Sequence, residues 1–452
     1  MRSNLFKLSA VTATILTSFG TQAAVYAVVP VDNDLINAYG VAVQPNDKDC
    51  WNNDCSGDNF VIALETRVRA EGFSYRDEMP FLWTKGYDYI DSQSEFKSYC
   101  SSYLKYSDTQ CEDWATDQYN GYAHELTSNY DNITAYLSSN IANPVKQPNS
   151  IINSIDTAGN AVGNSRVSAA VRNQAFSNGV TTLPIGASSS HAWAVDGTYT
   201  VGSVTTLNSG RYSSKATIWD NDAVVGTVAW ERPSDHDGDL IAQGSMRDIV
   251  TTAIGSNKVA VGFNTDSDYY AVASVFDLSD LNSIGTTFVK PFHNSNDYLN
   301  SVLTDVNTHG IAIGSAKYAK SLNNAYPNRL FYLNSVVGSD LNASFFAGNI
   351  FFEGANGNAG GINDRNEVVG QIDYEKHAEN GGMPRAKRAF VTVVGDKNES
   401  QAPFKNSSYY LDDLTNGLAS NNKYRLIDAT DVNNASVISA TALYCARGYD
   451  SD

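Results

Sequence analysis

One short pattern of apolar and polar positions returns along most of the chain. An apolar residue is followed by Asn or Asp, by turn-forming residues that often include Gly, and then by an alternating apolar run ending in Gly. The clearest copies span Ile362–Gly370, Val306–Gly314 and Ile155–Gly163. Looser copies end at Gly202 and Gly262, a first copy covers Ile36–Val43 without the final Gly, and a last one runs from Val432 to Ala440. Asn and Asp bond their own backbone in tight turns, and Gly accepts positive φ. Each copy therefore predicts a turn between two short strands, and the terminal Gly predicts a close backbone approach.

A second apolar element carrying an aromatic residue follows most copies. Examples are Phe81-Leu82-Trp83, Gln174-Ala175-Phe176, Ala216–Trp219, Leu330-Phe331-Tyr332 and Ala389-Phe390-Val391. The two elements together predict one four-stranded sheet with two apolar faces, which cannot stand alone. Between Gly163 and Gly370 the copies recur roughly every 40–60 residues, near the propeller period of about 40–50. The expected fold is all-β, a β-propeller of about seven blades. Six blades are the alternative, and a two-sheet sandwich array is the competing architecture.

Residues 45–145 break the rhythm and read as a disulfide-stapled, partly helical insertion in the first blade. Ser92-x-x-Glu95 predicts a capping box, after which Phe96, Tyr99 and Tyr103 share one helical face. Asp131–Ile141 predicts a second short helix, stopped by Pro144. Of the five cysteines, Cys50 lies close to Cys55 and Cys100 to Cys111. Two local bridges are expected in an oxidising compartment, although four cysteines allow three pairings. Cys445 is left over, which points to an external partner or to a chain that stops before its mate.

The first 24 residues have the order of a secretory leader. Arg2 and Lys7 form a basic start, Leu8–Phe19 is mostly apolar or small, and Thr21–Ala24 offers cleavage after Ala23 or Ala24. No later stretch is apolar for about 18 residues, so no transmembrane helix is expected. Removing Arg2 and Lys7 takes the formal charge from −18 to −20. Such a balance keeps a chain soluble and disfavours nucleic acid or anionic lipid as partner. With 42% hydrophobic residues, the charge does not signal disorder.

The segment Gly361–Gly370, followed by Arg388-Ala389-Phe390, resembles the HAF repeat of bacterial extracellular proteins, and the whole arrangement is similar to an exported bacterial family of unknown function. An opening Tyr26-Ala27-Val28-Val29 strand and a closing Asp431-Val432-Asn433 belong to the same resemblance. It implies a secreted or surface β-repeat protein, residues 25–452 forming the repeat domain, and a C-terminal sorting tail in related chains. It implies no reaction and no catalytic residues.

Little else in the sequence carries chemistry. Asp235, Asp237 and Asp239 alternate as in calcium loops, where each side chain can turn toward a hard cation. The sixth and twelfth positions are Leu240 and Met246 instead of Gly and Glu, so the loop is not an EF-hand, and a solvated acidic turn is the plainer expectation. His191, next to Trp193, is placed near the propeller axis, most simply as a structural histidine. No nucleophile elbow, phosphate loop or zinc-type cysteine set is present. The expected function is a non-enzymatic binding or scaffold protein, exported to the periplasm, cell surface or medium, with a protein or glycan as partner. The alternative is a secreted hydrolase acting on glycans through acids on the propeller face.

Overall fold

The computed structural model describes residues 6–15, 24–31, 35, 37–55, 58, 60–68, 87–88, 92–104, 106–126, 133–138, 145–168, 171–177, 181–182, 188–322, 325–378, 385–416 and 418–449. Among these residues, six four-stranded antiparallel sheets follow one another, each made from a single run of chain. Their inner strands are Ala38–Val43, Ser150–Ile155, Ser189–Asp196, Ser245–Thr251, Tyr298–Val306 and Gly357–Ile362. A further four-stranded sheet closes the ring from both ends of the chain. It runs, inner to outer, Tyr424–Val432, Ile438–Cys445, Phe6–Ile15 and Tyr26–Pro30. Each inner strand touches the next around the axis, and the closing sheet touches blade one. The architecture is the expected β-propeller.

The aromatic residues of the third strands explain why the blades stack. Trp219, Phe276, Phe331 and Phe390 are completely buried and Phe176 nearly so. Burying a side chain of this size contributes roughly 1.5–3 kcal/mol, and here each ring packs in a cluster shared between neighbouring sheets.

The repeat turn joins the blades as well as reversing the chain. The Oδ1 atoms of Asn307, Asn363 and Asn433 accept backbone N–H groups within their own turns, from Ile311, Glu367 and Val437. Their side-chain amides donate to a backbone carbonyl of the next blade, Asn307 to Asn363, Asn363 to Asn433 and Asn433 to Gln44. An aliphatic side chain would lose both sets of bonds, which is why this turn position is polar.

Blade one departs from the expected copy. Ala38–Val43 is its inner strand rather than the strand after a turn, and its second strand is Ile62–Arg67. The turn between them is expanded to residues 44–61 and holds the Cys50–Cys55 bridge. Gln44 takes the place of the repeat Asn, its N–H bonding the Val61 carbonyl at 2.9 Å. The third strand is Ile133–Ser138, so the helix expected over 131–141 is a strand. Its apolar, β-branched residues pair with Ile62–Arg67, and that pairing overrides the local helical pattern. The Phe81-Leu82-Trp83 element lies outside the described residues.

The segment 45–145 is thus two excursions around blade strands. The second carries α1 (Gln93–Tyr99) and α2 (Asp108–Leu126). The Ser92–Glu95 capping box forms, Phe96 and Tyr99 are buried, and Cys100–Cys111 ties the two helices together. The Tyr103 side chain lies outside the described residues. No described helix is long and apolar enough to cross a membrane.

Candidate functional site

Each inner strand is irregular at the same level. Its pairing register shifts by one residue, at Gly40/Ala42, Ile152/Ser154, Ala192/Ala194, Met246/Asp248, Leu303/Asp305 and Ala429/Asp431, with a related shift between Ala359 and Ile362. The terminal Gly of the repeat accommodates this bulge. A Cβ on Gly163, Gly202, Gly262 or Gly314 would lie 1.8–2.1 Å from a backbone oxygen of the inner strand, and one on Gly370 would lie 2.4 Å from the Asn358 oxygen. A bulge re-aims side chains, and here it turns Asn153, Trp193, Arg247, Thr304 and Thr430 into an axial cavity of about 530 Å³.

The residue after the bulge is Asp in three sheets, and these acids tie neighbouring inner strands together. Asp305 accepts from its own Val306 N–H at 2.7 Å and from Ile362 N–H of the next blade at 2.7 Å. Asp431 does the same with Val432 at 2.8 Å and Val43 at 2.9 Å. Asp248 accepts from Val306 N–H at 3.0 Å. The negative charge of Asp248 also acts on Asp305 and favours its protonated form. Gly361 stands at the matching place between Asp305 and Asp431. A Cβ there would lie 2.9 Å from Asp431 Oδ1 and 3.2 Å from Asp305 Oδ2, so the missing side chain makes room for both carboxylates.

Burial raises the pKa of all these acids. Asp431 is pushed up to about 6, and so is Asp428, where the positive charges of Lys387 and Arg67 oppose the rise. Asp305 is held well above the usual carboxylate range by burial and then by the charge of Asp248, and burial raises Asp248 as well. The rest of the wall is mixed. Arg67 pairs with buried Glu65 at 2.6 Å and lies 4.4 Å over the Tyr39 ring. The Arg247 guanidinium lies 3.6 Å over the Trp193 ring.

Among residues singled out from sequence, Trp193 lines this cavity. His191 is buried beside it and hydrogen-bonds the Asn173 amide at 2.9 Å. Asp235, Asp237 and Asp239 do not converge. Asp235 accepts from Asn208 and faces the His236 ring, Asp237 lies 3.7 Å from Arg232, and Asp239 pairs with Arg211 at 2.9 Å. No cluster of three His, Cys, Asp or Glu suited to a metal occurs among the described residues. Asp305 is not marked by the sequence pattern, and Asp431 is marked only as part of the closing Asp431-Val432-Asn433. The shared Thr-Asp-Val-Asn at 304–307 and 430–433 was the available signal.

Residues 199–452 match a family described as a protein of unknown function, DUF3466. The chain belongs to this family. The match covers blades three to six apart from the first strand of blade three, and the two C-terminal strands of the closing sheet. Asp248, Asp305 and Asp431 all fall inside the family region, whereas both disulfides lie before it. A search of curated proteins finds no match.

Proposed function

We propose that this chain is an exported, HAF-repeat-like binding protein without enzymatic activity, and that the axial cavity receives a small polar ligand such as a glycan segment. The observation that carries this reading is the engagement of the axial acids. Asp248, Asp305 and Asp431 accept backbone N–H groups across blade boundaries, so they serve the ring before any substrate. The stacked Trp193–Arg247 and Tyr39–Arg67 pairs supply flat faces and fixed donors, the mixture that polar ligand sites use. Export is supported by the leader pattern and by the two disulfides.

One observation favours hydrolysis as a second reading. Asp431 and Asp428 are pushed up to about 6, near the range of a general acid at neutral pH. One experiment separates the two. The purified protein is given a panel of glycans, with heat-melting shift and product release measured together. Saturable stabilisation without products, weakened by Trp193→Ala, supports binding. Product release abolished by Asp428→Asn replaces it with the hydrolase.

A further inference from the structure

The third strand of the closing sheet is Phe6–Ile15, a segment that the leader pattern marks for removal. Both walls of its position are held by other parts of the chain. Ile438–Cys445 is paired with Tyr424–Val432 on its far side. Tyr26–Pro30 is fixed on its far side by Val25 N–H to the Leu414 carbonyl at 2.7 Å, by Val28 N–H to Asn421 Oδ1 at 2.9 Å, and by the Asn421 amide to the Tyr26 carbonyl at 2.9 Å. The Tyr26 ring also packs edge-on against Trp51. Removal of residues 1–24 therefore leaves two facing strand edges a strand-width apart over an apolar floor. Val11 and Ala13 are fully buried in that floor with Val28, Val391, Leu426 and Ala440. Unpaired edges of this kind recruit extended segments.

We propose that the processed protein uses this gap to bind an apolar β-strand donated by a different protein, not by a second copy of this chain. The donor runs antiparallel to both walls, as Phe6–Ile15 does. It carries a small β-branched residue opposite Ala440, where Val11 now sits, and small apolar residues at alternate positions. This site is separate from the axial cavity, so its failure leaves the glycan reading untouched.

The test uses the full chain expressed with export, its processed N-terminus established by mass spectrometry. A synthetic peptide of residues 6–15 serves as probe. It should bind saturably and raise the melting temperature, and its Val11→Asp version should bind at least about tenfold more weakly, since a charge would enter the apolar floor. A Phe6→Cys peptide should form a disulfide with Cys445, its register partner, while a reversed-sequence peptide should not. Three outcomes overturn the proposal: no peptide binding, a processed protein that still carries residues 6–15, or a self-associated form that excludes the peptide.

Discussion

At the scale of single residues, the repeat is a set of answers to one backbone irregularity. In blades two to six the bulge presses a carbonyl of the inner strand toward the second strand, and the Gly at the facing position leaves room for it. Gly370→Ala would bring a Cβ to 2.4 Å from the Asn358 oxygen and 2.7 Å from the Phe390 ring. The expected cost is about 1–3 kcal/mol of stability, read by urea denaturation. Gly285→Ala is the matched control, because the nearest atom to its added Cβ lies 4.0 Å away and its φ is unstrained. It should change stability by less than about 0.5 kcal/mol. Glu367 makes a second residue-scale case. Its buried carboxylate receives four donors, from Ser400, Trp51, Asn363 and Ser436. Glu367→Gln turns a donor group toward two of these donors and should cost about 1–3 kcal/mol, with the Trp51 fluorescence shifting to that of a more exposed ring.

At the scale of elements, the loop 44–61 matters more than its length would imply. Trp51 reaches Glu367 Oε1 and Ser436 Oγ, and Asp49 pairs with Arg365 at 3.2 Å. The loop therefore bridges blade one, blade six and the closing sheet at the seam of the ring. Cutting its staple by Cys50→Ser with Cys55→Ser should lower stability by roughly 2 kcal/mol, the loop-closure value for so short a ring. Melting under reducing conditions should reproduce the loss in the parent chain and add nothing further at this site in the double variant. Elements are also where legibility from sequence divides. The turn chemistry around Asn307, Asn363 and Asn433 is local and reads directly, as does the Ser92 cap. Ile133–Ser138 does not, because a six-residue apolar run looks alike on a helix and in a buried strand until its partner is known. Blade one hides for a related reason: its inner turn has been replaced by a long loop, so the Asn-to-Gly spacing is absent.

At the scale of the whole molecule, the axial acids belong to no single blade. Asp305 and Asp431 each hold an N–H of the following sheet, which sequence could not reveal because the partners are separated by tens to hundreds of residues. Their protonation makes ring stability depend on pH. Burial raises Asp431 and Asp428 to about 6, and Asp305 and Asp248 are raised as well. The folded state then keeps protons that the unfolded chain releases above about pH 4. Linkage gives the sign: the contribution of these groups is fully present below the unfolded value and is lost as pH rises through about 6. One pKa unit corresponds to about 1.4 kcal/mol, and the carboxyls face a cavity that water can enter, so each contributes less than the full shift would imply. Surface acids such as Asp340, lowered by Lys290, act in the opposite sense: their contribution is lost as pH falls. The melting temperature of the parent chain should therefore decline between about pH 4 and 6, against the usual acid-denaturation trend. Asp431→Asn should flatten that decline, whereas Asp340→Asn should leave it unchanged. The slope is the quantity to compare, because Asn at 431 also gives up one of two backbone N–H acceptors and lowers stability at every pH. A parent chain whose stability instead rose steadily from pH 4 to 6, with Asp431→Asn parallel to it, would mean that these carboxyls stay ionised and that the blades are tied by charge rather than by protonated carboxyls.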